Sequence, residues 1–253
     1  MKYKNILLTG GTGNLGKAII KSGYFQNILS PNKKILDITK PETIEDFFNK
    51  NEIDAVIHCA ALARLRECEE NPVKSIETNI FGTSNLVNEV IKKDEKTKKK
   101  IRFIHISTDG VYEGIKGNYS EKDETIPCNK YGWTKLGAEC VVNLLSNFCI
   151  IRTRFFDPNN IKFEKSAVDV YTSKITVFEL SKAIKVILEN NFVGTINIGG
   201  KRGSDYGAYK KYKPSIKPCK FEDILKETSF PMTKDASMDI SLWEKIEQQY
   251  KKQ

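Results

Sequence analysis

Thr9-Gly10-Gly11-Thr12-Gly13-Asn14-Leu15-Gly16 is the stretch from which the rest of the chain is read. An apolar run, Ile6-Leu7-Leu8, precedes it, and Lys17-Ala18-Ile19-Ile20 continues it as the start of a helix. A strand, a glycine-rich turn and a helix, in that order, make the phosphate-binding start of a dinucleotide fold. Glycines permit the tight turn and let backbone N–H groups approach a pyrophosphate, while the helix N-terminus faces its charge. The spacing reads as Gly11-x-Gly13-x-x-Gly16 or as Gly10-x-x-Gly13-x-x-Gly16. Alone, such a pattern is also what a flexible loop contains; the strand in front of it gives it meaning.

The 253 residues allow one large α/β domain, or a main domain with a small appendage, and a full core. The composition, 40% hydrophobic and 29% charged, is ordinary for a soluble protein. No apolar run approaches the ~20 residues that span a bilayer, and Ile6-Leu7-Leu8 is too short for the core of a signal peptide. Cys59, Cys68, Cys128, Cys140, Cys149 and Cys219 form no C-x-x-C pair and mostly sit in apolar runs. Buried, reduced thiols are expected rather than metal ligands or disulfides, which places the protein in the cytoplasm.

A net charge of +9 raises nucleic acid as a partner. Only six of the 41 basic residues are Arg, however, and the lysines are scattered. The densest run, Lys92 to Lys100, contains Asp94 and Glu95 and reads as a solvated connector between a helix and a strand. Neither a nucleic-acid nor a membrane partner is expected, although a basic chain suits diphosphate substrates.

Beyond the first helix, a short strand near Asn27-Ile28-Leu29 should end where such a fold selects its cofactor, about 20 residues past the first glycine. An acidic residue there would hold the ribose hydroxyls of NAD; this chain has Ser30-Pro31-Asn32-Lys33-Lys34. The lysines can accept a 2′-phosphate, which slightly favours NADP(H) over NAD(H), or they form a surface turn that does not discriminate. Thr39 and Glu42 have capping-box spacing before a helix. Ile53 to His58 is a buried strand ending in Cys59-Ala60-Ala61, small residues that let backbone lie close to a cofactor. Val73, Ile76, Ile80, Val87 and Val90/Ile91 recur at helical period, so one long helix is expected from Asn71 to Lys93. Ile101 to Thr108 is a strand whose end carries the Ser107 and Thr108 hydroxyls; His58 and His105 are read as packed strand residues. Thr176 and Glu179 form a second capping-box pair, opening a helix to Asn190. Tyr206, Tyr209 and Tyr212 lie in a Gly- and Lys-rich stretch between Gly199 and Pro218, read as a partly mobile segment of a substrate lobe. Strands alternating with helices predict an α/β fold, a Rossmann-type doubly wound parallel sheet with ligands at the strands' carboxyl ends.

Tyr131-Gly132-Trp133-Thr134-Lys135 follows Pro127 and opens a helix expected to run to about Ser146. Tyr and Lys at i and i+4 share one helical face. The ammonium should lower the phenol's pKa towards the working pH. The Tyr can then exchange a proton with a carbonyl or alcohol oxygen, which the Thr108 hydroxyl would hold.

In that company the motifs resemble those of an extended short-chain dehydrogenase/reductase, and within that group the dTDP-4-dehydrorhamnose reductase family of nucleotide-sugar reductases. The matching residues are Thr9 to Gly16, Leu36-Asp37-Ile38-Thr39, His58-Cys59-Ala60-Ala61, Asn79-x-x-Gly82-Thr83, Ser107 to Tyr112, and Pro127-x-x-x-Tyr131-x-x-x-Lys135. Ile151-Arg152-Thr153, Gly194 to Gly200 and Lys234 to Asp239 carry the likeness through nearly the whole chain.

The resemblance implies a catalytic trio of Thr108, Tyr131 and Lys135, with Lys135 also holding the nicotinamide ribose. It implies that Gly10, Gly13, Asn14, Leu15 and Gly16 hold the pyrophosphate and that Asp37 and Ile38 flank the adenine. Cys59, Ala60, Ala61 and Ser107 would lie along the cofactor, and Asn79 would brace the active-site helix or the cofactor side. Thr108, Asp109, Gly110 and Phe155 would face the substrate. Residues 1–158 would be mainly the NAD(P)-binding domain. Residues 159–253 would be mainly a small substrate-binding lobe, with 174–190 returning to the first.

The implied activity is reduction of a keto group on a nucleotide-linked deoxysugar, for polysaccharide or glycan precursors, by a possible homodimer. Two departures bear on it. Gly110 stands where sugar-nucleotide dehydratases carry Glu, which argues against elimination chemistry. Only Asn159 to Ser166 separate Phe155-Phe156-Asp157-Pro158 from Ala167, where the family usually inserts a substrate-contacting helix. An epimerase of the same superfamily, and a non-catalytic subunit like that of methionine adenosyltransferase, are the alternatives.

Overall fold

The computed structural model describes residues 3–228 and 230–252. Five parallel strands, β1 (Asn5–Thr9), β2 (Asn27–Leu29), β3 (Ala55–His58), β4 (Arg102–Ile106) and β5 (Phe148–Arg152), are joined by a sixth, Gly194–Asn197. Their spatial order is 194–197, β5, β4, β3, β1, β2. The strands are short, and the central ones, β1, β3, β4 and β5, are almost wholly buried, because helices cover both faces of a parallel sheet; β2, at the edge, is not. Alternation along β1 divides the core: Ile6 and Leu8 pack with Leu15, Ile19, Leu180 and Ile184. Leu7 points the other way, to Ile44, Leu86, Val90 and Val142.

The first face is covered by α1 (Asn14–Lys21), by a helix over Val177–Glu189 and by the C-terminal helix Ser241–Lys251. The second is covered by α2 (Pro41–Lys50), by a helix over Gly82–Thr97, and by the helix Lys130–Val142, which carries the Tyr-Lys pair. The Thr176–Glu179 capping box forms as expected. The one anticipated at Thr39 does not: Lys40 is the N-cap of α2 and makes no capping bond, because the Thr39 hydroxyl donates to Asp37 Oδ1 at 2.8 Å.

The long helix expected over 71–93 is interrupted. Pro72–Ile76 is α-helical, Glu77–Phe81 widens into a π turn, and Gly82–Thr97 resumes the α geometry. Val73 and Ile76, placed by periodicity on the apolar stripe, are exposed. The buried positions there are Ser75, Asn79 and Thr83, so the inward face is polar before it becomes apolar at Leu86. The helix also extends to Thr97 and absorbs most of the lysine run; Lys92 and Lys93 approach Glu89, and Lys100 approaches Asp94. The Tyr-Lys helix ends at Val142, short of Ser146. Of the six cysteines only Cys68 and Cys149 are buried, and Cys140 is exposed; all are free thiols.

After β5 the chain builds small two-stranded pairs, Phe155–Phe156 with Ile175–Thr176, Lys165–Ala167 with Lys217–Cys219, and Tyr171–Thr172 with Gly203–Ser204. Residues 157–164 contain no helix. The tyrosine-rich segment is folded: Asp205–Lys210 is a short helix, and Tyr209 is buried against Phe156 and Phe163. Among the described residues no helix is long and apolar enough to cross a membrane.

Candidate active site

Two cavities lie along the carboxyl edge of the sheet. The first, about 340 Å³, is lined by Gly10, Gly11 and Gly13, by Asp37 and Ile38, and by Cys59, Ala60 and Ala61. Gly10 lies at φ +73°, and a Cβ there would stand 2.6 Å from the Ala60 nitrogen, so neither its conformation nor its space admits a side chain. Gly13 caps α1 without a side chain, which leaves the first-turn N–H groups free to receive an anion. This glycine cradle fits the pyrophosphate of a dinucleotide. Leu15 and Gly16 are buried within α1 and shape the turn from behind, whereas Asn14 is exposed and borders a neighbouring hollow beside Arg64 and Phe155.

Ser30, Asn32 and Lys33 line the far end of the cleft; Lys34 does not. Lys33 Nζ stands 3.5 Å from Asp37 Oδ2. Burial works against ionisation of Asp37, but hydrogen bonds from Thr39 and the charge of Lys33 prevail and hold its carboxyl below the ordinary value.

The second cavity, about 300 Å³, is lined by Ser107, Thr108, Gly110, Asn129, Tyr131, Arg154 and Phe155, with Met232 and Thr233 closing it from the C-terminal segment. The loop after β3 borders both cavities, through Ala60 and Ala61 in one and Ala63 and Leu65 in the other. Thr108 caps the short turn Asp109–Val111, its oxygen accepting from the Gly110 N–H at 3.0 Å. Asn129 caps the Tyr-Lys helix in the same way, accepting from Gly132 N at 2.9 Å. The two caps meet at Gly132, where a Cβ would lie 2.3 Å from the Gly110 carbonyl oxygen.

Asp109, Lys135 and Asn79 stand behind the cavity surface. Asp109 is fully buried, and Arg154 Nε approaches it at 2.7 and 2.9 Å. Its pKa is raised by burial, with the Arg154 guanidinium opposing. Arg154 escaped the sequence reading; its signal was a second Arg two residues beyond Arg152, in a chain with few. Asn79 is 1% exposed and contacts protein on every side: its oxygen accepts from Leu62 N, and its amide donates to Leu62 O and to Thr134 Oγ1. Through these bonds the π turn ties the loop after β3 to the Tyr-Lys helix. Ser75 joins it, with its hydroxyl 3.2 Å from that of Thr134.

The electrostatics differ from the sequence expectation. Tyr131 is raised above the usual phenol range, first by burial and then by the Asp109 carboxylate and Cys68; the Thr108 hydroxyl and Arg154 oppose this only in part. Lys135 is absent from the groups that shift it. Although the two residues share a helical face, the Lys135 ammonium donates to the Ile106 carbonyl at 2.8 Å and lies 3.2 Å from His105 Nε2. Burial lowers its own pKa to about 8, against the pull of Glu139 and Cys59. Ser107 does not face a ligand freely, since its hydroxyl donates to Glu139, which is in turn held by Arg152 at 2.7 Å.

Residues 4–174 match the family model described as RmlD substrate binding domain. Methionine adenosyltransferase 2 subunit beta of Rattus norvegicus is 27% identical over 182 residues, 68% of this chain and 53% of that one. The dTDP-4-dehydrorhamnose reductase of Mycolicibacterium smegmatis is 29% identical over 155 residues, 59% of this chain and 45% of that one. The chain thus spans about half the length of the curated relatives it matches. Among solved structures, a dTDP-4-dehydrorhamnose reductase from Clostridium acetobutylicum is similar with a TM-score of 0.81 and 25% identity, over 98% of both chains.

Proposed function

The chain belongs to the family described as RmlD substrate binding domain, and from that premise we propose that it reduces a keto group on a nucleotide-linked deoxysugar, with NAD(P)H as hydride donor. The observation that carries this reading is the meeting of Thr108 and Tyr131 on one cavity beside the glycine-lined cleft. When bound, the dinucleotide supplies a hydride to the carbonyl carbon. The chain's own residues do the rest. Gly10, Gly13 and the first turn of α1 hold the pyrophosphate, Asp37 and Ile38 border the adenosine, and Lys135 holds the nicotinamide ribose. Thr108 holds the substrate oxygen, and Tyr131 gives it a proton as negative charge develops there. The buried phenol keeps its proton at neutral pH and gives it up only to a stronger base, the alkoxide that the hydride creates. Residues 1–158 and 174–190 serve the cofactor, and most of the remainder serves the substrate.

A panel of nucleotide-linked 4-keto sugars, offered with NADPH and with NADH and followed at the nicotinamide absorbance, tests the proposal. Oxidation of the dinucleotide with at least one sugar supports it; none with any sugar sinks it. The helix-free loop at 157–164 favours a second reading, that of a binding subunit, and the similarity to the beta subunit of methionine adenosyltransferase 2 adds to it. Such a protein would bind the dinucleotide and turn over none of the panel.

A further inference from the structure

Parallel register aligns Thr9, His58 and His105 in a row across β1, β3 and β4. Both histidines are buried and their rings lie 5.3 Å apart, yet their bonding differs. His58 is fully engaged. Its Nδ1 lies 2.7 Å from Thr9 Oγ1, and its Nε2 lies 3.0 Å from Thr83 Oγ1, a hydroxyl that already donates to the Asn79 carbonyl. That arrangement assigns the proton to Nε2 and makes His58 a structural bolt.

The His105 ring has a single hydrogen-bonding contact among the described residues, the ammonium of Lys135 at 3.2 Å, and its Nδ1 has no partner. An apolar side chain would fill this place without burying an unpaired nitrogen, which ordinarily costs stability. The contact with Lys135 is what the imidazole adds. We propose that His105 is a positioning residue: with the Ile106 carbonyl it forms a two-point acceptor that holds the Lys135 ammonium charged and aimed from the end of β4.

The chemistry is consistent on each side. Burial, then Lys135 and His58, push His105 well below its ordinary pKa, so the ring is neutral and can accept at Nε2. Lys135 faces Glu139 on its own helix, Cys59 at the end of β3, and the two histidines. Glu139 is already held by Arg152, and Cys59 is pushed up to about 12 by burial and stays a neutral thiol. Glu139 supplies the main charge that opposes burial of this amine, and the two neutral acceptors in direct contact with it add to that hold. A hydrogen bond to a charged group is worth enough that its loss should lower the amine's pKa by about one pH unit.

The consequence for catalysis rests on the reductase reading; the test of the contact does not. In the full chain labelled at the lysine ε-carbons, the Lys135 resonance is assigned by its loss in Lys135→Met and titrated by NMR. His105→Met should lower its midpoint by about one pH unit, while His105→Gln, whose amide oxygen can take the place of Nε2, should stay near wild type. The alkaline limb of kcat/KM should move with the midpoint. Should His105→Met fail to fold, His105→Asn, too short to reach the ammonium, replaces it with the same expectation. An unchanged midpoint in the variant lacking the acceptor overturns the proposal, as does a fall in His105→Gln equal to that in His105→Met. Absence of turnover in wild type would instead count against the reductase reading, with the lysine titration still deciding the role of His105.

Discussion

Tyr131 sits in surroundings that hold its proton: burial and the Asp109 carboxylate both disfavour the phenolate. No other side chain on the cavity is a comparable acid, since both histidines are buried in the sheet. Tyr131→Phe should therefore lose general-acid catalysis, on the order of a hundredfold to ten-thousandfold in kcat, with folding and dinucleotide affinity nearly intact. Wild-type turnover in this variant, with chemistry rate-limiting, would refute the role. Lys135→Met should weaken dinucleotide binding, and turnover with it, the two measured separately, because on the reductase reading the ammonium holds the nicotinamide ribose. The same residue makes stability depend on pH. Its pKa is about 8 in the folded chain and near 10.4 when unfolded, so between those values the unfolded state binds more protons and stability rises with pH. Paired urea titrations should show wild type gaining on Lys135→Met from pH 8 to about 10; a constant difference would mean that burial does not depress the amine.

At the scale of elements, the helix Lys130–Val142 matters by where its first turn rests. It approaches the Thr108–Gly110 turn so closely that Gly132 is the residue in contact, with no room for a methyl group. Gly132→Ala would ordinarily strengthen a helix, but here it must push the first turn away from the Gly110 carbonyl. It is expected to cost about 1–3 kcal/mol in urea unfolding and to lower kcat more than dinucleotide affinity. A stabilised variant with full kcat would show that the two turns have room to spare. The π turn over Glu77–Phe81 works in the same register, placing Asn79 between Leu62 and Thr134 so that the cavity-bordering loop and the Tyr-Lys helix share one brace.

Across the whole molecule, a buried chain of bonds joins the site to the last strand of the sheet and to the C-terminal segment. Ser107 donates to Glu139, Glu139 pairs with Arg152, Arg152 donates to the Tyr112 hydroxyl, and that hydroxyl donates to Asn197. Asn197 in turn donates to the carbonyls of Tyr119 and Asp239. At the far end of the cleft, cofactor choice falls between Lys33, which can meet a 2′-phosphate, and Asp37, which can meet ribose hydroxyls. Lys33 is largely exposed and free to swing, whereas Asp37 is pinned by Thr39. NADPH is expected to bind at least as tightly as NADH by calorimetry, and Lys33→Glu should shift the balance towards NADH. A strong NADH preference in wild type would assign the selection to Asp37 instead.

The sequence by itself determined whatever depends on near neighbours. The glycine turn needs conformations that only glycine supplies cheaply, the Thr176–Glu179 box closes within one turn, and apolar runs at Ala55–His58 and Arg102–Ile106 leave a buried strand as the economical solution. Even locally it was overruled where a competitor was at hand, as when Thr39 bonded Asp37 rather than capping α2. Tertiary structure decided the site's chemistry. Lys135 meets His105 across 30 residues, Arg154 meets Asp109 across 45, and Asn79 meets Thr134 across 55. Periodicity carries no information at such separations. A Tyr and a Lys four apart must share a helical face, but which way a long, flexible ammonium turns depends on the acceptors that another strand brings to it.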